Sequence, residues 1–222
     1  TFLKVLTDDL LRSGWFSRGG PGGAELALTG SAAAPGGSVK AQVWVTGRVD
    51  RRQYIAKSYG ADATAARRLA HQVADEIVLA VTGRKGTASG RLALVGNRTG
   101  KKELYLCDAD GQGLVQLTRD QSISVGPNWG PGARQLAYTS FLKGFPDIYT
   151  IELGSGRRQR VASYPGLNTG GAFAPSGREM AMILSKDGNP ELYVKELQSG
   201  ALTRLTDTKR SAEASPCWSP DG

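Results

Sequence analysis

Apolar residues recur at two different periods along this chain, and the change of period divides it near residue 87. In the first part Phe2, Val5, Leu6, Leu10 and Leu11 fall at helical spacing, and Ser13–Gly14 supplies the stop. Ser17–Gly23 reads as a glycine-rich loop. Glu25–Thr29 and Val39–Val49 read as strands, the second strengthened by Val43, Trp44 and Val45, with a turn at Ala34–Gly37 between them. Asp62 or Thr64 is placed to cap a second helix that runs to about Thr82, with Gly83 just past its end. At about 100° per residue, Ala66, Leu69, Val73, Ile77 and Ala80 share one stripe, which should cover the small sheet. His71 and Asp75 lie on the far side of that helix, one turn apart and within reach of a mutual hydrogen bond. This polar second face is expected to dock on the part of the chain that follows. The order helix–strand–strand–helix predicts a compact α/β layer domain over residues 1–86, with a first strand expected upstream of Thr1.

From residue 88 the helical period gives way to a long repeat. Arg91–Leu92–Ala93, Gln135–Leu136–Ala137 and Glu179–Met180–Ala181 are spaced by 44 residues, as are Leu104–Tyr105, Ile148–Tyr149 and Leu192–Tyr193. Leu117, Val161 and Leu205 keep the same step, and Trp129, Phe173 and Trp218 follow at 44 and 45. Repeats of about 40–45 residues built only of strand-like segments indicate a β-propeller, with four short strands to a blade. In the second unit the strands fall near Asn128–Trp129, Gln135–Ser140, Asp147–Glu152 and Arg158–Ala162, separated by turns at Pro131–Gly132, Lys143–Gly144 and Gly154–Gly156. The fold class is therefore an α+β N-terminal domain followed by an all-β propeller over residues 87–222. Three blades and the opening of a fourth are present. Closure takes about 4–8 blades, so the chain reads as a fragment of a longer protein.

Composition narrows the chemistry. The 222 residues include 30 glycines and 10 prolines, which suits many short strands and tight turns. No apolar run reaches the roughly 18 residues of a membrane span. The formal charge of +8 comes from scattered pairs such as Arg51–Arg52, Arg67–Arg68, Lys101–Lys102 and Arg157–Arg158. No aromatic-interleaved basic stripe accompanies them, so nucleic acid is not an expected partner. Cys107 and Cys217 have no CxxC spacing and read as small buried hydrophobes in strands. A Ser–His–Asp triad would have to use His71, the one histidine, with Asp75 as its orienting carboxylate. No HExxH, GxSxG or phosphate loop accompanies it, and the chain reads as non-catalytic, without cofactor or metal. Asp108–Ala109–Asp110–Gly111 has a faint calcium-loop look but reads as a hairpin turn, since the spaced oxygen ligands and late glutamate are missing.

The run Trp218–Ser219–Pro220–Asp221–Gly222 resembles the blade motif of the TolB family, with drifted copies at Trp129–Gly130–Pro131–Gly132 and Phe173–Ala174–Pro175–Ser176–Gly177. The first part resembles the same family. Asp9–Leu10–Leu11–Arg12–Ser13–Gly14–Trp15–Phe16 is similar to its first helix ending. Ala70–Ile77, with Leu79, Thr82–Gly83, Gly86 and Arg91, is similar to its domain junction. The resemblance implies a six-bladed propeller and a periplasmic protein of the Tol–Pal system, which serves outer-membrane integrity and cell division. It also implies a Pal-like peptidoglycan-associated lipoprotein as the partner of the propeller. A TolA-like protein would be met through a segment preceding Thr1, and contact with the membrane would be peripheral at most. The loops entering the innermost strands, Ser122–Asn128, Leu167–Ala172 and Ala212–Cys217, correspond to the lipoprotein-binding loops. Val125, Leu167, Asn168, Gly170 and Ala214 match the contact motifs, with Leu167 standing where many members have histidine. His71, Asp75 and Arg91 are the expected interdomain residues. Two other readings compete: the propeller of a prolyl-oligopeptidase-type serine peptidase whose hydrolase domain lies beyond Gly222, and a scaffold that binds a polyanion.

Overall fold

The computed structural model describes residues 2–20 and 22–222; the expected helical start at Thr1 and the loop position Pro21 lie outside the described residues. The chain divides into two compact units. One holds the residues up to Arg91 together with Asp108–Gln112, and the other holds Leu92–Cys107 with Gly113–Gly222.

The first unit is built from α1 (Phe2–Arg12), β1 (Leu26–Ala33), β2 (Ser38–Gly47), β3 (Gln53–Asp62) and α2 (Ala66–Thr82). Its sheet runs β1-β2-β3, antiparallel throughout. β2 shows the cleanest alternation: Val39, Ala41, Val43 and Val45 are buried, while Trp44 points outward. The expectation of two strands is corrected to three. β3 escaped sequence reading because it is an edge strand with no clean alternation of buried positions, held by backbone pairing to β2. β1 likewise runs past Thr29, because pairing continues to Ala33 opposite Lys40.

The start of α2 also differs from expectation. A single 3-10 turn, Ala63–Ala65, leads into the helix, and neither Asp62 nor Thr64 caps it through its side chain. Gly83 ends it as expected, in the left-handed region at φ 73°, with its N–H bonded to the Leu79 carbonyl at 2.9 Å. Of the predicted stripe, Leu69, Val73 and Ile77 are buried and Ala80 is exposed. A second buried row, Ala70, Ala74 and Val78, shares a core cluster with Phe2, Val5, Leu6 and Leu10 of α1. α2 is therefore buried on two sides, which a single-stripe reading does not foresee. Each fully buried Val, Leu or Ile here contributes about 1.5–3 kcal/mol relative to exposure.

The second unit contains three sheets. The first has β4 (Arg91–Gly96), β5 (Glu103–Asp108) and β6 (Val115–Gln116). The second has β7 (Ser124–Trp129), β8 (Gln135–Ser140), β9 (Asp147–Glu152) and β10 (Arg158–Ala162). The third has β11 (Asn168–Phe173), β12 (Glu179–Leu184), β13 (Glu191–Glu196) and β14 (Leu202–Arg204). Each four-stranded sheet is an up-and-down meander, and the strands β8, β9 and β10 have the limits read from the repeat. Large side chains fill the space between sheets. Leu104, Leu136, Tyr138, Tyr149 and Ile151 form one cluster; Ala137, Ile148, Phe173, Met180, Met182 and Tyr193 belong to another. The indole N–H of Trp218 donates to the Ala172 carbonyl at 2.9 Å and ties the last segment to β11. Cys107 is buried in β5, but Cys217 is exposed and in no strand, against the expectation of two buried cysteines.

Candidate functional site

The innermost strands β7 and β11 share an irregularity. Pairing of β7 with β8 shifts between Val125 and Asn128, and pairing of β11 with β12 shifts between Thr169 and Ala172. Gly126 and Gly170 sit at these bulges with φ of 61° and 70°. Ser215 takes φ 51° at the same distance before Trp218. Three residues before each aromatic marker the backbone is therefore left-handed, and in β7 and β11 the bulge interrupts the ladder between two paired stretches. At Gly170 a Cβ would also lie 2.8 Å from Pro216 Cδ. Gly170→Ala should therefore cost about 1–2 kcal/mol. Thermal melting and the rate of proteolysis within 205–217 test this; unchanged values for both would contradict it.

Antiparallel pairing sets Ser124 opposite Ser140 and Ser140 opposite Asp147, so the loop entering β7 and the turn between β8 and β9 lie at one end of the sheet. Asn168, Leu184 and Glu191 are related in the same way in the third sheet. The loops are further tied by backbone bonds from Ser124 N–H to Lys102 (2.7 Å) and from Glu213 N–H to Pro190 (3.1 Å). The Thr139 and Thr169 hydroxyls meet at 3.0 Å across the two sheets. The five residues singled out from sequence all fall at this end, in different settings. Val125 is half-buried beside the bulge, and Ala214 is exposed. Leu167 is half-buried, its N–H donating to Ser185 Oγ at 2.8 Å. Asn168 is fully buried: its amide donates to the Tyr164 carbonyl at 2.7 Å and its Oδ1 accepts the Tyr164 N–H at 2.8 Å. Its side chain thus shapes the loop ahead of β11.

Sequence reading missed the groups that hold the other loops. Glu103, Asp147 and Glu191 are buried acids that open β5, β9 and β13 at the same 44-residue step. Glu103 accepts the Thr118 hydroxyl (2.5 Å) and the N–H groups of Asp120 and Gln121 (2.8 Å each). Glu191 accepts the Thr206 hydroxyl (2.6 Å) and the Thr208 N–H (2.7 Å). The threonine in turn accepts the N–H of the residue after the acid, Leu104 at 2.8 Å or Leu192 at 2.9 Å. Each such carboxylate clamps the chain as it leaves the outermost strand toward the next inner loop. The middle sheet has Ala162 where the others have threonine, and its loop is held by Asn168 instead. The signal was present one residue ahead of Leu104, Ile148 and Leu192.

The polar face of α2 carries the other candidates, all within the first unit. His71 is buried, and its Nδ1 lies 2.6 Å from Asp9 Oδ2 of α1. The expected His71–Asp75 bond is corrected: Asp75 instead accepts the N–H groups of Ala88 (2.7 Å) and Ser89 (2.9 Å). Asp108–Gly111 forms a turn closed by the Gly111 N–H on the Asp108 carbonyl at 2.9 Å. Asp110 of that turn accepts Arg67 Nη2 at 2.6 Å, and Arg12 lies 3.9 Å from both Asp9 and Asp110. Burial pushes the Asp9 carboxyl up against the opposing pull of His71. Burial also works to raise Asp110, but the bonds from Arg67 and the Gln112 N–H outweigh it and hold that carboxyl low. Donor atoms of Asp9, His71 and Asp110 lie within 4.8 Å of one another, a spacing that suits a metal. Arg67 Nη2 stands 3.5 Å from His71 Nε2 and 2.6 Å from Asp110 Oδ2, so a cation is already engaged with two members of the set. The arrangement is a buried ion-pair network. Arg91, the third expected junction residue, opens β4.

A family profile described as the TolB beta propeller domain matches residues 78–222. The Tol-Pal system protein TolB of Desulfosudis oleivorans is 32% identical over 146 residues, covering 66% of this chain and 33% of that protein. A protein described as a TolB homolog from Chlorobium luteolum is 28% identical over 200 residues, covering 90% of this chain and 45% of its own length. The chain thus spans about a third to under a half of these curated relatives. The crystal structure of TolB from Acinetobacter baumannii superposes with a TM-score of 0.85 at 26% identity, over 93% of this chain and 57% of that one.

Proposed function

The chain belongs to the TolB β-propeller family, and from that premise we propose that it is part of a non-catalytic periplasmic scaffold of a Tol–Pal system. Its inner-strand loops bind a Pal-like peptidoglycan-associated lipoprotein, and a TolA-like protein meets the N-terminal side of the full protein. The scaffold thereby supports outer-membrane integrity and cell division. The observation that carries this reading is the set of loops gathered at one end of the sheets and held rigid by Glu103, Asn168 and Glu191. A pre-ordered loop surface loses little conformational entropy on binding a folded partner. His71, the one histidine of the chain, is committed to Asp9 and Arg67 in the first unit. Among the described residues no helix is long and apolar enough to cross a membrane. Asp75 holds the Ala88–Ser89 segment that leads into β4.

The test is calorimetric titration of the intact gene product with the soluble domain of the Pal-like lipoprotein of its own organism. The expected result is saturable one-to-one binding, with an interface of roughly 1,200–2,000 Å². Leu167→Asp or Ala214→Trp should weaken it about tenfold, or about 1.4 kcal/mol. No heat of binding from a protein that melts cooperatively would remove the lipoprotein assignment.

A further inference from the structure

We infer that the turn joining β8 to β9, with the loop entering β7, is a docking surface for an acidic protein partner that offers an apolar recess. The inference rests on the binding role proposed above for this end of the sheets and names the chemistry of the partner. The internal repeat provides the control. Three equivalent turns, residues 97–102, 141–146 and 185–190, close in the same way. The N–H of Gly100, Gly144 or Gly188 donates to the carbonyl three residues earlier, at 2.9, 2.9 and 3.0 Å. All three glycines have positive φ, at 86°, 89° and 109°. The turn therefore makes no demand for apolar side chains. The first turn has Arg98 and Lys101 at the two intervening positions, and the third has Lys186 and Asn189. Only the middle turn has Leu142 and Phe145 there.

The fold leaves Phe145 largely uncovered and Leu142 partly so. Phe145 is 74% exposed and Leu142 is 40% exposed. The Phe141 N–H donates to the Ile123 carbonyl at 2.8 Å, which brings in a third apolar side chain, itself 41% exposed. Burial of such side chains is favourable and is left largely unrealised for Phe145 and incomplete for Leu142 and Ile123, which is how a binding anchor differs from a core residue. The surrounding charge is of one sign. Lys143 and Arg119 are exposed on these two loops, and Arg98, Lys101 and Lys102 are exposed on the neighbouring turn at 97–102, whose Lys102 carbonyl accepts the Ser124 N–H; none of the five is ion-paired among the described residues. Asp120, the acid lying among them, is held by Arg158 at 2.7 Å. An apolar centre ringed by unpaired cations is complementary to an apolar recess ringed by carboxylates. A simple polyanion would use the cations and leave Phe145 without a role.

The experiment titrates the intact protein with the same lipoprotein domain at low and high salt, comparing wild type, Phe145→Ser and Lys143→Glu. Both substitutions fall on exposed side chains, so melting temperatures should be unchanged. Phe145→Ser should weaken binding tenfold or more, and Lys143→Glu should weaken it several-fold and flatten its salt dependence. Wild-type binding that both variants keep within twofold would overturn this surface and leave the scaffold reading in place. No wild-type binding from folded protein would remove both. Binding to heparin or phosphatidylglycerol vesicles as tight as to the domain, and indifferent to Phe145→Ser, would make the patch a polyanion site and overturn the protein-partner assignment.

Discussion

Glu103→Ala is expected to lower stability by about 3 kcal/mol, or roughly 6–12 °C in melting temperature. The carboxylate is fully buried and accepts three hydrogen bonds, two of them from backbone N–H groups in the loop after β6. Alanine leaves those donors without an acceptor in a space water does not readily fill. Glu103→Gln separates charge from hydrogen bonding. Its Oε1 can still accept the Asp120 and Gln121 N–H groups, while its amide nitrogen faces the Thr118 hydroxyl, which already accepts the Leu104 N–H. The expected loss is about 1 kcal/mol. Calorimetric melting of the full chain measures both; equal, small losses would show that the clamp does not hold the fold.

The equivalent Glu191 adds a pH dependence. Burial works against its charge, yet the bonds from Thr206, Thr208 and Asn189 outweigh it and hold the carboxyl down at about 2, against an ordinary value of 4.5. Its folded pKa is therefore depressed. The stabilisation is fully present above pH 4.5 and is lost as the pH falls from there toward 2. A urea-midpoint titration should show this slope in the wild type and a shallower one in Glu191→Gln.

Asp9→Ala should cost the first unit about 3 kcal/mol, because it breaks a buried pair and leaves His71 Nδ1 without its partner. Asp9→Asn should cost no more than about 1 kcal/mol, since an amide oxygen still accepts from His71. The sign for Asp9 is opposite to that for Glu191. Burial raises its folded pKa above 3.8, so ionising it withdraws stability as the pH rises through that window. The asparagine variant removes this slope as well. Amide hydrogen exchange should quicken through α1 and α2 in Asp9→Ala while β8, β9 and β12 keep their protection. An exchange pattern that changes by less than about 0.5 kcal/mol in α1 and α2 would show that the network is not needed there.

Much of the second unit was legible in the chain because its markers are tied to one backbone geometry. A 44-residue step in Leu104, Ile148 and Leu192 requires the same strand in the same place each time, and the limits of β8 to β10 follow from it. The ends of α1 and α2 were equally local, set by Ser13–Gly14 and by a glycine free to take φ 73°. β3 was not legible, because an edge strand needs only a neighbour's backbone and leaves little pattern in its own side chains. The start of α2 was missed because tertiary burial of Leu69 and Ala70 sustains it without a side-chain cap.

At the candidate site the division has the same cause. Sequence pattern and resemblance located the loops ahead of Trp129, Phe173 and Trp218, since spacing is a property of one dimension. Only the tertiary structure decided that Asn168 faces inward while Ala214 faces out, that His71 meets Asp9 rather than Asp75, and that Phe145 stands unburied. Each of these depends on which distant residues come within about 3–4 Å of a side chain, the range over which hydrogen bonds and packing contacts form.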